Sequence, residues 1–188
     1  MDDRHSQPLV SPTQILLRSG CYFDLAEPER SEFTIEDIAH ALSNICRFTG
    51  HTVRFYSVAE HCWHCSFIVP PEHALAALLH DAAEAFVGDV ASPLKGMLPD
   101  YRQIEARVHR AVLARFGLGP DLHPSVKQAD MAMLLAEQRQ AMSNRDRWFE
   151  VDGIEPAARH LLWMYPHHAA PAFLRRYDEL TKGRAPHV

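Results

Sequence analysis

"LLHDAAEAFVGD", residues 78–89, decides how the chain is read. Apolar Leu78, Leu79, Ala82, Ala83 and Phe86 recur at helical spacing, and His80, Asp81 and Glu84 interrupt them with charge-bearing groups. His80 and Asp81 are neighbours, so on a helix their side chains diverge by about 100°. Both reach one ion only if it rests against the helix wall and other helices supply further donors. Glu84 returns to the face of the pair one turn on, and Asp89 follows Gly88 on a loop able to curl back over such an ion. Three acids among apolar residues are costly to bury unless a cation pairs them. The same spacing also suits a solvated helix face bearing two acids and a histidine, and spacing alone does not separate the two.

Outward from this stretch the dominant period is helical. Ile35, Ile38, Ala39, Leu42, Ile45 and Cys46 form one stripe behind Thr34 and Asp37, a capping-box-like start. "SVAEHCWHCSFIV" (57–69) opens on Ser57 with Glu60 three residues on, a capping box, and stops before Pro70-Pro71. One helix is expected over 71–88, from Pro71 to Gly88. Others are expected over 100–117, from about Pro124 to Met142, over Glu155–Met164 and over Ala169–Lys182. "TVRFY" (52–56) alternates like a strand but lacks a partner, so it reads as a loop. The expectation is an all-α bundle of about seven helices: one domain over 13–183, with flexible ends at 1–12 and 184–188.

The 188 residues are 47% hydrophobic and 23% charged, a globular balance with length enough for a core. A net charge of −5 argues against a broad nucleic-acid surface, and no apolar run suits a signal peptide or a membrane span. Four cysteines, too few and too irregular for a disulfide scaffold, point to a reducing cytoplasm. Thirteen histidines weaken any argument from a single one. No Gly-rich phosphate loop and no Gly-x-Ser-x-Gly elbow is present.

Two further signals lie elsewhere. Asp130 in "VKQAD" stands on an otherwise apolar helix, as an exposed acid or a ligand, and His61 lies in "VAEH". "VAEH", "LLHDAAEAFVGDV", "SPLK" and "VKQAD", in this order over roughly 47–137, resemble the HD-domain metal-dependent phosphohydrolases, and within them the 5′-deoxynucleotidase branch. That branch includes phage enzymes that remove triphosphate from dATP. The resemblance implies an HD-domain helical bundle with His61, His80, Asp81 and Asp130 as metal ligands. Two imidazoles and two carboxylates suit one divalent transition ion (Mn, Fe, Co, Ni or Zn) better than a structural zinc cage. It further implies catalytic work for Glu84 and Asp89, one orienting water and one protonating the leaving 5′ oxygen. The sequence does not assign the two roles, Asp89 being the preferred donor.

In the family an Arg-aromatic pair upstream of the first histidine contacts phosphate and sugar. Arg47 and Phe48 match it, with two departures: Phe stands where the characterised nucleotidase has Trp, and the gap to His61 is one residue shorter. Lys95 and Lys127 are phosphate contacts or ordinary solvated lysines. "HCWHC" (61–65) suggests a metal knot, but Cys62 and Trp63 turn about 100° and 200° from His61, and ligands of a tetrahedral ion must converge from separate segments. Only His61 is read as a ligand there; Cys62, Cys65 and Trp63 are read as packing and His64 is left open.

The function expected from the resemblance is a 5′-deoxynucleotidase releasing phosphate from dNMPs. The alternatives are a dNTP triphosphohydrolase and a nucleotide-binding regulatory domain without turnover. A di-iron oxygenase would need further ligands such as His73 and His109, which do not follow the signature. The expected partner is a small deoxynucleotide, with no nucleic acid or membrane partner, in a homo-oligomer.

Overall fold

The computed structural model describes residues 10–146, 148 and 153–182, and over these the helical period builds an all-α bundle. Of the ends expected to be flexible, 1–9 and 184–188 lie outside the described residues; 10–12 lead into a hairpin. Its strands β1 (Gln14–Leu16) and β2 (Tyr22–Asp24) pair antiparallel, with Ile15 opposite Phe23. The hairpin was not expected, because three-residue strands are too short for alternation to register. Phe23 stacks on Phe86 with centroids 3.9 Å apart, and Phe33 meets both rings edge-on.

Helix α1 (Ile35–Asn44) opens with a full capping box, in which Thr34 Oγ1 accepts from Asp37 N and the Asp37 carboxylate accepts from Thr34 N. Helix α2 (Val58–Cys65) opens on Ser57 with half of one: Ser57 Oγ accepts from Glu60 N, but the Glu60 side chain does not return to its own cap. It crosses the core and accepts from the backbone of Leu162, Trp163 and Met164 at 2.6, 3.0 and 2.6 Å.

That contact overturns the helix expected over Glu155–Met164. Residues 154–165 run without helical structure, and Trp163 takes φ 56°. The three N–H groups that a helix would use internally are held by one buried carboxyl, which suits an extended strap.

The single helix expected over 71–88 is also interrupted. A 3₁₀ turn at Pro71–His73 leads into α3 (Ala74–Leu79), and α4 (Glu84–Val87) resumes after four residues. Between them the bonds tighten to i→i+3, as in Ala82 N to Leu79 O and Glu84 N to Asp81 O. Such turns advance about 120° per residue rather than 100°, which changes where His80 and Asp81 point. Gly88 ends α4 at φ 80°, ψ 160°, a conformation open essentially to glycine alone, and turns the chain into Asp89.

Short α5 (Ser92–Met97) carries Lys95 and was not expected as a helix. Helices α6 (Pro99–Arg115) and α7 (Pro124–Ala141) match the expected spans closely. Helix α8 (Pro166–Thr181) starts a turn earlier than expected, with Pro166 in its first turn, where a missing N–H costs nothing. His167 and His168 thus lie in the first turn of a helix. Residues 52–56 form a loop, as expected, beside an isolated bridge between Cys46 and Ser57.

Helix α2 is the hub: it packs against α1, α3, α7 and α8, and all its residues but Trp63 are buried. All six residues of α3 are buried beside it. No helix among the described residues is long and apolar enough to cross a membrane.

Replacing Glu60 by Ala strips three buried N–H groups of their acceptor at once. Urea unfolding is expected to show a loss of about 2–4 kcal/mol, with Glu60→Gln losing less because an amide oxygen still accepts.

Candidate metal centre

Three helical segments bring the expected ligands together. His61 comes from the middle of α2, His80 and Asp81 from the tightened turn after α3, and Asp130 from α7. His61 Nε2 stands 3.3 Å from His80 Nε2, 3.3 Å from Asp130 Oδ1 and 3.6 Å from Asp81 Oδ2. His80 Nε2 stands 3.2 Å from Asp81 Oδ2 and 3.9 Å from Asp130 Oδ1.

The outer side of each ring fixes which nitrogen faces this centre. His61 Nδ1 donates to Glu137 Oε1 at 2.6 Å, and His80 Nδ1 donates to the Ala77 carbonyl at 2.8 Å. Both Nε2 atoms then present lone pairs to each other and to two carboxylates, which requires a proton or a cation between them. Histidines that bind metals are held in the same way, by a carboxylate or carbonyl behind the ring.

The electrostatics agree. Burial and Arg47 oppose a charged His61, yet Cys65, Glu137 and Asp130 outweigh them and its pKa stands well above the imidazole range. At His80 burial is outweighed in the same direction by Asp81, Cys62 and Asp130. Asp81 and Asp130 are buried too, but the two histidines hold both far below the ordinary carboxylate range. The site demands positive charge at its centre. Two imidazole lone pairs and two carboxylates set that demand, and a buried His, Cys and Asp group here could meet it by holding a metal ion.

Glu137, not singled out in the sequence, lies behind the centre. Fully buried, it accepts from His61 Nδ1 and Tyr56 Oη on one oxygen, and from Arg47 Nε and Nη2 on the other. It follows Asp130 by seven residues, two helical turns along the same face, and that spacing is the signal that could have found it. Arg47 is buried and committed to Glu137 through these two nitrogens, while its Nη1 lies 3.7 Å from Asp81. Phe48 and Thr49 take φ 56° and 54°, a strained turn, and Phe48 has the Arg47 guanidinium over its ring at 5.3 Å and Trp148 at 5.9 Å.

Glu84 lies in the wall of the open side, and Asp89 follows the Gly88 turn outside the cleft lining. Burial first, then Asp81 and Asp89, push the Glu84 carboxyl well above its usual range, and its Oε2 is buried without a partner among the described residues. Asp89 is raised as well, by burial and Asp81 against the pull of Arg47 and Lys95. A cleft of about 400 Å³ runs from His80, Asp81 and Glu84 along α6 to Asp121. Its outer lining alternates sign: Lys95, Arg102 and Arg110 among Glu105 and Asp121.

The two expected phosphate lysines are both engaged. Lys95 Nζ bonds Glu105 at 2.5 Å and lies 3.6 Å from Glu84, and Lys127 Nζ bonds Asp130 Oδ2 at 2.7 Å. Lys127 therefore supports a ligand rather than facing the cleft. His109 lines the cleft, and burial lowers its pKa; His73 stacks on His123 instead, centroids 4.0 Å apart. His64, left open in the sequence, accepts from Arg159 Nε at 3.1 Å, and its Nε2 lies 3.5 Å from Glu60 Oε1.

No protein-family model matches the chain. It is 40% identical over 169 residues, covering 88% of this chain and 94% of the relative, to the uncharacterized protein YfdR of Escherichia coli strain K12. It is also 38% identical over 125 residues, 59% of this chain and 62% of the relative, to an uncharacterized protein of Rhodobacter capsulatus.

Asp81→Ala or Asp130→Ala is expected to lower bound transition metal to background while circular dichroism keeps its helical signal; full metal stoichiometry in both variants would place the ion elsewhere. A second expectation concerns acid. Burial acts to raise the Glu137 carboxyl, but Arg47, His61 and Tyr56 bring it from 4.5 down to about 2. A depressed carboxyl stabilises the fold fully above about pH 4.5, and that contribution fades as pH falls toward 2. Denaturant titrations of metal-free protein across this window should show a shallower acid slope for Glu137→Gln than for wild type.

Proposed function

This chain belongs to the family of the Escherichia coli protein YfdR, and we propose that it is an HD-domain metal-dependent phosphohydrolase of deoxyribonucleotides, a 5′-deoxynucleotidase acting on dNMPs. The observation that carries this reading is the convergence of His61, His80, Asp81 and Asp130 beside a cleft that also holds Glu84, whose buried Oε2 has no partner among the described residues. When bound there, a divalent ion polarises a phosphoryl group and activates a water.

The chain's own residues supply the rest. Arg47 spends Nε and Nη2 on Glu137, so Nη1 is the part of the guanidinium left for a phosphate oxygen. Phe48, held by the strained turn with Trp148 nearby, offers an apolar face to the sugar. Glu84 is the better proton donor of the two acids: it is the more buried, its carboxyl is the more strongly raised, and one oxygen is free. Its proton passes to the leaving 5′ oxygen, and Asp89 orients the attacking water. This reverses the sequence-based preference for Asp89 as donor.

Cleft charge favours the monophosphate over the triphosphate. Lys95 is bonded to Glu105, which leaves only Arg102 and Arg110, with Asp121 beside them, for a polyphosphate tail.

Product analysis on dAMP, AMP and dATP with Mn or Co tests the reading. Orthophosphate from dAMP is the expected result; triphosphate from dATP would select the triphosphohydrolase instead. Tight binding without turnover of any of the three would select the regulatory domain. Glu84→Gln should lower kcat about 10²–10⁴-fold while keeping its metal.

A further inference from the structure

Cysteine 65 lies one helical turn beyond His61 on the same face of α2 and is fully buried. Its Sγ stands 3.6 Å from His61 Nε2, the ring nitrogen that faces the centre rather than the one held by Glu137. The donor atoms of His61, Cys65 and His80 all lie within 4.8 Å of one another. With metal–sulfur and metal–nitrogen bonds of about 2.3 and 2.1 Å, a sulfur and a nitrogen on one ion lie at most about 4.4 Å apart and two nitrogens at most about 4.2 Å. The observed separations are 3.6 Å for Cys65 Sγ to His61 Nε2 and 3.3 Å between the two Nε2 atoms.

We propose that Cys65 is a sulfur donor to the ion held by His61 and His80, so that the centre selects thiophilic metals over Mg and Mn. The inference rests on the metal reading of this site and adds a donor to it. On coordination the thiol proton leaves to solvent and the sulfur binds as thiolate. A soft ligand beside two imidazoles favours Co, Zn or Fe(II), whereas the carboxylates alone would also accept hard ions. Cys62 also lies within donor distance of His80 and Asp81, so it is the control for the assignment.

The experiment strips the full-length protein with chelator, reloads it with Co(II) and records its absorption. Wild type is expected to show a near-ultraviolet thiolate-to-cobalt charge-transfer band. That band should vanish in Cys65→Ser and Cys65→Ala and persist in Cys62→Ser. Cobalt affinity should fall about 10-fold or more in the Cys65 variants, with Mn affinity changed less than about 3-fold. Cobalt bound at one equivalent with visible bands but no charge-transfer band would overturn the sulfur donor and leave the metal centre standing. Loss of the band in Cys62→Ser alone would overturn the choice of cysteine. Failure of wild type to take up cobalt would overturn the metal centre and the sulfur donor together.

Discussion

One buried carboxylate, that of Glu137, holds the candidate site together. From α7 it reaches His61 on α2, Tyr56 in the loop before α2, and Arg47 at the end of the preceding segment. An uncompensated charge in that position would be costly, and the contacts are strong because every lone pair is used and the Arg47 charge is adjacent. The histidine tautomer, the path of residues 46–57 and the distance between α2 and α7 all depend on the same side chain. Removing any one donor therefore disturbs the others, as expected of a buried polar network.

Helix α2 gives this arrangement its stiffness. It is a core helix that carries Glu60, His61 and His64 into the interior: Glu60 and His64 meet the non-helical 154–165 segment at residues 162–164 and at Arg159, and His61 meets α7. Two directions around one short helix serve two purposes. Toward the 154–165 segment Glu60 and His64, 3.5 Å apart on one face, hold backbone and Arg159, and toward α7 His61 meets Glu137.

The interruption between α3 and α4 has a comparable role. The tightened turn sets neighbours about 120° apart, and from it the His80 side chain reaches back until its Nε2 lies 3.2 Å from Asp81 Oδ2. It also returns Glu84, on the next short helix, to the cleft wall beside them. The aromatic cluster of Phe23, Phe33 and Phe86 braces α4 from behind, so the hairpin contributes to the site through packing alone.

Much was legible in the residues themselves. The helical period announced α1, α2, α6 and α7, and the four expected ligands, His61, His80, Asp81 and Asp130, converge as the resemblance implied. Local rules carry such features, since periodicity, caps and prolines act within a turn or two of chain. What failed was non-local. Glu60 read as a capping partner but serves residues a hundred positions away, and the helix expected over 155–164 gives way to it. Lys95 and Lys127, read as phosphate contacts or solvated lysines, are bonded to acids, and Glu137 drew no notice although it accepts from His61. Cys65 is buried in the core, as its packing reading has it, while one-dimensional spacing shows which face of α2 it shares with His61 but not where its sulfur points. The sequence by itself determined which segments are helical and which residue types are at hand. Only the tertiary structure decided which buried polar groups meet, because each such contact joins segments far apart in the chain and its partner is chosen by packing.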